Sequence, residues 1–310
     1  MSMRRTADQP TTVDLHLHTR FSDGDETPER VAGRCVEAGL RVVSCTDHDT
    51  MEGAREFQSV AERSGITVIS GCEVTVSWNG SEMHCLAYFV DLDDQVFRAR
   101  IAEVHNAELD WWRTWFKQAA EIASDVDWSA AQQRHGRGRI AYRGDYLDMF
   151  LTASRSDPRF RDYPLGRHEK FIRDWCTPGR PLHVPRPWRP DLAQVVEWVA
   201  EAGGVTILAH PARALAAGNV SQALVGLREL GVAGIEAWTT WHDPSESSWL
   251  AELASAHGLV ATQGSDYHGV RLKPWAPRPG LVPLAAPDPL AIVEGLEAAR
   301  PPALTPEKRL

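Results

Sequence analysis

Two histidines stand two positions apart near the start of the chain, in the segment VDLHLHTRFSDGDETP at positions 13–28. Side chains alternate along a β-strand, so Asp14, His16 and His18 share one face and the intervening apolar residues share the other. Two imidazoles on one strand face can hold one metal ion, since neutral imidazole is a common metal ligand. The spacing therefore predicts a metal-binding strand.

Further residues of metal-binding type follow later apolar segments, in RFSDG, CTDHDT, GCEVT, EMHCL, LAHP and GSDYH. A single histidine is usually an ordinary core or surface residue, but six of them at predicted strand ends favour a metal site. The complete set of predicted ligands is His16, His18, Asp23, His48, Glu73, His84, His210, Asp266 and His268. Nitrogen and oxygen donors without thiolate favour Mn²⁺, Fe²⁺ or Zn²⁺, and nine ligands suit two or three divalent ions sharing carboxylates.

The elements that position these residues repeat as a helix, a glycine stop, a short apolar strand and a polar end. Thr27-Pro28 is typical of a helix start, and the helix it opens runs to Gly39 before RVVSCTDHD. Helices alternating with buried strands predict a parallel α/β sheet. Polar residues at the carboxyl ends of the strands match the active-site end of a β/α barrel.

The pattern changes between residues 95 and 183. A long helix is predicted from Gln95, and its aromatic residues (Trp111, Trp112, Trp115 and Phe116) fall at helical spacing. Such a stripe usually packs in a core, with base stacking as the less favoured interpretation. We therefore predict a barrel over 12–94 and 184–300 and a helical insertion over 95–183 that covers the barrel mouth as a substrate cap.

Bulk properties restrict the partners. The chain has 310 residues and a formal net charge of −9, which argues against binding long duplex nucleic acid. No apolar run is long enough to cross a membrane, and the first twelve residues are interpreted as a short lead rather than a signal peptide. Five cysteines without a CxxC pair indicate a cytoplasmic protein without a disulfide framework. The oligomeric state is not predicted.

The motifs HLHTRFSDG, CTDHDT, GCEVT, EMHCL, LAHP and GSDYH resemble, in order, those of the PHP (polymerase and histidinol phosphatase) family of metal-dependent phosphoesterases. The resemblance is greatest to the stand-alone bacterial branch of 3′,5′-nucleotide phosphatases and 5′→3′ exoribonucleases. Features of that branch stand here as Tyr142-Arg143-Gly144, His183-Val184-Pro185 and Ala209-His210-Pro211-Ala212-Arg213. The resemblance implies a distorted (β/α)7 barrel in which the nine residues named above bind three metal ions.

The residue after the arginine-glycine element departs from this pattern. The branch usually has histidine there, whereas this chain has Asp145. A carboxylate at that place repels a substrate phosphate. The resemblance alone therefore does not predict that this chain acts on the same substrate as the branch.

We hypothesise that a hydroxide bridging two of the ions attacks phosphorus, with Glu73 as a shared ligand. Arg143 and Arg213 would hold the phosphate, because a guanidinium fork matches its oxygens. Asp47, Asp49 and Glu236 would orient the ligands, although loop capping explains the first two equally well. His183, His242 and His257 are interpreted as structural or surface residues.

The predicted activity is hydrolysis of a phosphomonoester of a nucleotide or small phosphorylated metabolite, of the 3′,5′-bisphosphate or short 5′-phosphorylated RNA type. One alternative is a histidinol phosphatase, although the insertion and the AHPxR motif favour the nucleotide branch. Another is an amidohydrolase, which often uses a carboxylated lysine that no predicted strand end offers here. The last is a metal-binding module without catalysis, which the complete ligand set disfavours.

Overall fold

The structure is a computed structural model that describes residues 9–123, 125–136, 138–215 and 220–302, with the backbone alone at 9, 10, 213 and 214. The side chain of Arg213, a predicted phosphate ligand, therefore lies outside the described part of the chain. Among the described helices, none is both long and apolar enough to span a membrane.

Strands and helices alternate through most of the described chain. The strands are β1 (Gln9–Pro10), β2 (Val13–Leu17), β3 (Val42–Cys45), β4 (Thr67–Val68), β5 (Gly71–Trp78), β6 (Ser81–Tyr88), β7 (Val205–Leu208), β8 (Gly234–Thr239), β9 (Val260–Gly264) and β10 (Leu281–Val282). The helices are α1 (Pro28–Glu37), α2 (Ala54–Arg63), α3 (Gln95–Ile122), α4 (Trp128–His135), α5 (Arg143–Ala153), α6 (Glu169–Phe171), α7 (Leu192–Glu201), α8 (Pro211–Ala214), α9 (Val220–Glu229), α10 (Pro244–Ala256) and α11 (Pro289–Ala298), with a π-helical turn at Ile172–Cys176.

The described strands form three sheets. Strands β1 and β10 form an antiparallel pair, strands β2, β3 and β4 pair in parallel, and strands β5 to β9 form a five-stranded sheet in chain order. That larger sheet is antiparallel from β5 to β7, because β5 and β6 make a hairpin, and parallel from β7 to β9. The predicted α/β class is confirmed, and the EMHCL segment lies on the second strand of that hairpin. The ladders do not establish a closed barrel, since they leave the sheets separate.

Isolated bridges connect strand ends of different sheets. Leu17, at the end of β2, bridges to Tyr267 beyond β9, and His48 beyond β3 bridges to Glu73 on β5. The polar residues that follow β2, β3 and β9 are therefore adjacent to one another. Both faces of β2 are buried, so its alternation separates a ligand face from a core face rather than solvent from core.

Two compact units divide the chain. One contains the residues up to Ala102 and from Arg189 onward, and the other contains Glu103–Trp188. The division falls inside α3, whose first turns bury Phe97 and Ile101 in the core of the sheet-containing unit. The sequence pattern changes at residue 95, where α3 begins, whereas the boundary between the units lies after Ala102 within the same helix.

The second unit has its own aromatic core. Trp112, Trp115 and Phe116 of α3 are buried there, with Tyr146 and Phe150 of α5 against them. The interpretation of the aromatic stripe as packing is therefore confirmed for these three residues.

Local signals explain the helix starts near the ligands. Thr27 caps α1 by accepting a hydrogen bond from the Arg30 amide, with proline at the first helical position, as predicted. At the end of β9, Gly264 allows close approach of β2. A Cβ on this glycine would lie 2.2 Å from the Cβ of His16, so any larger residue would push the strands apart.

Candidate metal centre

All nine predicted ligands lie in the sheet-containing unit, and the structure brings them together. His16 lies on β2, and His18 and Asp23 follow this strand. His48 follows β3, and Glu73 and His84 lie on the β5–β6 hairpin. The remaining three follow β7 and β9: His210, Asp266 and His268.

Glu73 lies in the middle of the candidate metal centre. Its side chain is fully buried, and one carboxylate oxygen, Oε2, lies 3.0 Å from His16 Nε2, 3.0 Å from His18 Nε2 and 3.3 Å from His48 Nδ1. The other oxygen, Oε1, lies 3.0 Å from His84 Nδ1 and 3.2 Å from His210 Nε2. The two oxygens of one carboxylate thus face two different sets of imidazoles.

The two aspartates face other members of the group. Asp266 Oδ1 lies 3.4 Å from His16 Nε2 and 3.2 Å from His18 Nε2. Asp23 Oδ1 lies 3.0 Å from His268 Nε2 and 3.9 Å from His48 Nε2. The ligand atoms therefore group in three overlapping sets: His16, His18, Glu73 and Asp266; His48, Glu73 and His84; and His18, Asp23, His48 and His268.

The chemistry of these donors fits divalent cations. The buried atoms His18 Nε2, Asp23 Oδ1 and His84 Nδ1 have no hydrogen-bond partner among the described residues, although each points at other ligand atoms. An unsatisfied buried polar atom costs free energy, so a cluster of them indicates that a ligand completes it. Nitrogen and oxygen donors suit Mn²⁺, Fe²⁺ or Zn²⁺.

The electrostatics of the protein without ions follow from this packing. Burial alone would raise the pKa of Glu73, but the imidazoles of His48, His16 and His84 hold it well below its ordinary value. Burial alone would lower the pKa of His18, but Asp266 and Glu73 raise it to about 9. Burial lowers the pKa of His48 to about 3 despite its carboxylate neighbours. Metal-free protein therefore holds protons on some of the imidazoles that a metal ion needs neutral.

Glu236 on β8 orients two of the ligands, as the sequence hypothesis proposes. Its Oε1 accepts from His16 Nδ1 at 2.9 Å, and its Oε2 accepts from the backbone amide of His210 at 2.9 Å. The first contact leaves Nε2 of His16 facing the centre, which is the usual way a carboxylate fixes a metal-binding imidazole. The second holds His210 in a left-handed backbone conformation, with φ of 30°.

Asp47 and Asp49 accept hydrogen bonds from backbone amides and hydroxyl groups rather than from the side chains of candidate ligands. Asp47 accepts from the Thr19 amide at 2.7 Å and from the Ser22 hydroxyl at 2.6 Å, so it fixes the loop that carries Asp23. Asp49 accepts from the amide and hydroxyl of Thr75 at 2.7 and 2.8 Å and thus ties the segment after β3 to β5. Both contacts match the loop-capping interpretation.

Lys273 and Trp241 contact the centre without having been predicted. Lys273 is 5% exposed, and its Nζ lies 2.5 Å from Oδ2 of Asp266. Trp241 donates its Nε1 hydrogen to the same oxygen at 2.5 Å. Lys273 is not at a strand end but in the irregular segment after β9, so the prediction that no strand end offers a lysine is not contradicted. Its partner is Asp266, whereas both oxygens of Glu73 face imidazoles.

The other predicted residues are placed as follows. His242 is buried, with Nδ1 2.9 Å from the Ala237 carbonyl and Nε2 accepting from the Ala212 amide, which is a structural role. Arg143 and Asp145 lie in the first turn of α5, in the second unit. A carboxylate in a first turn is favoured by the helix dipole, which gives Asp145 a local structural reason. The backbone position of Arg213 in α8 is described, but its side chain is not.

Comparison with known proteins places the chain in a family. A family model described as the PHP domain matches residues 14–160. A 3′,5′-nucleoside bisphosphate phosphatase of Chromobacterium violaceum is 28% identical over 263 residues, covering 83% of this chain and 87% of that protein. The 5′-3′ exoribonuclease Rnm of Escherichia coli is also 28% identical, covering 82% and 84%.

A further relative is named for a different phosphoester. The phosphoribosyl 1,2-cyclic phosphate 1,2-diphosphodiesterase of Eggerthella lenta is 30% identical over 261 residues, covering 83% of this chain and 94% of that protein. Relatives with distinct phosphoester substrates thus share most of their length with this chain.

Two solved structures are similar along nearly the whole chain. One, described as an amidohydrolase from Chromobacterium violaceum with bound sulfate, gives a TM-score of 0.74 at 26% identity, covering 94% of this chain and 97% of that one. The other, a Bifidobacterium adolescentis protein assigned as a metal-dependent phosphoesterase, gives 0.71 at 25%, covering 94% and 98%. The predicted enzyme class, a metal-dependent hydrolase of phosphoesters, is confirmed by these matches together with the ligand cluster. The chain belongs to the PHP domain family.

Proposed function

We propose that this chain hydrolyses a phosphomonoester of a nucleotide, of the 3′,5′-bisphosphate or short 5′-phosphorylated RNA type, with three divalent ions bound at the centre. The observation that carries the proposal is Glu73, whose two oxygens face separate sets of imidazoles. Two ions that share one carboxylate lie close enough to act on one phosphoryl group. Two of the relatives are named as a 3′,5′-nucleoside bisphosphate phosphatase and a 5′-3′ exoribonuclease, which supports a nucleotide substrate.

The three overlapping sets of ligand atoms give the proposed holders of the ions. His16, His18, Glu73 and Asp266 would hold the first ion. Glu73 and His84, with His210 or His48, would hold the second. Asp23, His48 and His268 would hold the third. Bound divalent ions supply an activated water and neutralise charge on the phosphoryl oxygens. The protein contributes a fixed arrangement, since Glu236 holds His16 and Asp47 holds the loop that carries Asp23.

Several finer predictions extend this proposal. Seven strands, β2, β3 and β5 to β9, would form a distorted barrel, and the bridges of Leu17 with Tyr267 and His48 with Glu73 support that closure. Five free cysteines, four of them buried, support a reducing cytoplasmic location. The roles of Arg143 and Arg213 as phosphate ligands, and of the insertion as a substrate cap, stay predictions.

A second candidate function is hydrolysis of a cyclic sugar phosphodiester. The 30% identity to the Eggerthella lenta diphosphodiesterase, over nearly all of that protein, favours it. Both reactions require an attacking water and neutralised phosphoryl charge, so the metal centre alone accommodates either. Substrate choice then depends on residues around the centre.

The experiment is turnover by Mn²⁺-loaded protein on a panel of phosphoesters. The panel holds adenosine 3′,5′-bisphosphate, a 5′-phosphorylated dinucleotide, phosphoribosyl 1,2-cyclic phosphate, histidinol phosphate and an aryl phosphate. We expect hydrolysis of one of the first two at the highest kcat/KM, with loss in Asp266→Ala. Highest kcat/KM for the cyclic ester would favour the second candidate. Metal-loaded protein inactive on all five, or nucleotide turnover that survives in Asp266→Ala, would overturn the proposal.

A further inference from the structure

Two tryptophans of the sheet-containing unit, Trp241 and Trp275, stand beside the metal centre and take no part in the chemistry above. Trp241 follows β8, and Trp275 lies in the irregular segment after β9. Neither lies on a helix or a strand.

The exposure of the ligands shows where a substrate can enter. The side chains of His16, His18 and Glu73 are fully buried, whereas those of His84 and His48 are 29% and 23% exposed. His210, 13% exposed, is also on this open side. A phosphoester must therefore approach over the exposed imidazoles.

Trp241 stands at the edge of this opening. Its ring centroid is 6.3 Å from that of His210, at 69°. Its Nε1 donates to Asp266, and the Nζ of Lys273 lies 5.0 Å from its ring centroid. These contacts fix the ring before any substrate arrives, and a preformed surface costs less to bind than one that must be ordered.

Trp275 extends the aromatic surface outward. Its ring centroid is 5.7 Å from that of Trp241, and the residue is 37% exposed. The rings of His210, Trp241 and Trp275 thus form a row that leads from a candidate metal ligand to solvent within one unit. A planar group attached to a phosphate held over His210 would come within reach of this surface.

We propose that Trp275, backed by Trp241, is the stacking surface for the nucleobase of the substrate. The proposal rests on the proposed nucleotide function. It adds that the protein binds the base of the nucleotide as well as the phosphate. Every base offers a π face, so stacking on tryptophan tolerates any base and contributes substantially to affinity. The surface therefore predicts little discrimination between purine and pyrimidine nucleotides and weaker binding of substrates without a base.

The test compares the Mn²⁺-loaded full-length protein with Trp275→Ala, Trp275→Phe and the control Trp249→Ala. Trp249, on α10, is 46% exposed and gives a matched loss of a surface tryptophan. For each protein, kcat and KM are measured on adenosine 3′,5′-bisphosphate, and the inhibition constant of inorganic phosphate reports on the metal centre.

We expect Trp275→Ala to raise KM about tenfold or more, with a smaller change in kcat, because one base-stacking contact is lost. Trp275→Phe should retain most of the affinity, Trp249→Ala should match wild type, and the inhibition constant of phosphate should change less than twofold in all variants. An unchanged KM in Trp275→Ala would overturn the stacking proposal, as would an equal rise in Trp249→Ala.

Two measurements on wild-type protein distinguish failure of the stacking proposal from failure of the proposed function. They can be made even if Trp275→Ala does not fold. Competitive inhibition by adenosine, which lacks phosphate, is expected if the base is stacked, and its absence would overturn the stacking proposal while nucleotide turnover leaves the proposed function standing. Absence of nucleotide turnover by wild type, with turnover of an aryl phosphate, would instead overturn the nucleotide assignment itself.

Discussion

Glu73 and Asp266 are both buried carboxylates among histidines, but their surroundings differ in kind. Each oxygen of Glu73 faces imidazoles, whereas Asp266 turns one oxygen to imidazoles and the other to Lys273 and Trp241. The first environment suits a carboxylate shared between ions. The second suits a terminal ligand whose other oxygen is held by the protein. We infer that the neighbours of each oxygen, rather than the residue type, set the role of each carboxylate toward metal.

The largest expected effect comes from removing the charge of Glu73. Glu73→Gln keeps the volume but cannot serve two cations with two anionic oxygens, so we expect bound metal to fall by at least two ions per chain. Activity should fall by about 10³-fold or more, because a two-metal site is lost. Elemental analysis after gel filtration checks the metal content. Asp266→Asn is the comparison and should lose fewer ions; equal losses in both variants would contradict the distinction.

The next effect is a pH dependence of metal binding. In metal-free protein, the pKa of His18 is about 9, above its ordinary value of 6.5, so its protonated form stabilises the fold fully below pH 6.5 and less as pH rises through 9. A metal ion requires the neutral imidazole. Metal affinity should therefore rise with pH between about 6.5 and 9, by up to about tenfold per pH unit for each proton displaced.

Chelator competition at fixed ionic strength measures that affinity. Asp266→Asn removes one of the two carboxylates that raise the pKa of His18, so the rise should end at a lower pH in this variant. An affinity that is flat between pH 7 and 9 in wild type would show that His18 is already neutral there.

Glu236→Gln tests whether Glu236 orients His16 and His210, the candidate ligands that it contacts. The amide can still contact His16, but it supplies less negative charge to the imidazole, and loss of such a partner typically lowers metal affinity by about 10–100-fold. Isothermal titration with Mn²⁺ measures the change. Glu246→Gln, in the capping box of α10, is a matched surface control that should leave metal affinity unaltered. Unchanged affinity in Glu236→Gln would assign Glu236 to holding the backbone of His210 alone.

Lys273→Met should change the metal-loaded protein least of all these variants, because it acts on Asp266 alone. Without metal, the buried Asp266 charge loses one of its cationic partners, so metal-free protein should lose up to about 3–5 kcal/mol in the free energy of unfolding. With metal bound, most of that loss should disappear, because a cation again faces Asp266. Thermal or urea unfolding with and without Mn²⁺ measures both values.

The control for this variant is Arg55→Met, which removes an exposed ion pair with Asp93 whose side chains are 59% and 79% exposed. Surface pairs contribute at most about 1 kcal/mol, so this change should be small with or without metal. A Lys273→Met loss that metal does not restore would mean that the lysine only packs.

The clustering of the nine candidate ligands was predictable from sequence, because each lies in a short motif at the end of an apolar segment. Lys273 and Trp241 were not, since nothing local marks them. Lys273 stands in a proline-rich stretch, and its contact depends on how the chain returns after β9. The orienting role of Glu236 was accessible because it ends a strand, but its contact with the His210 amide joins residues 26 positions apart.

The fold was predictable to the level of its class. Alternating helices and strands identify α/β, yet the contacts between separate sheets are isolated bridges that sequence periodicity does not encode. The division between units was also hidden, because α3 contributes apolar residues to two cores in one uninterrupted helix. Hydrophobic periodicity predicts that a helix face is buried, but it does not predict which core buries that face.

The most direct test of the central claim is a crystal structure of Mn²⁺-loaded protein with anomalous scattering. The account predicts three peaks, with one ion near each oxygen of Glu73 and only one ion near Asp266, on the side of Oδ1. A single ion at Glu73, or an ion bound to Oδ2 of Asp266 in place of Lys273, would contradict it.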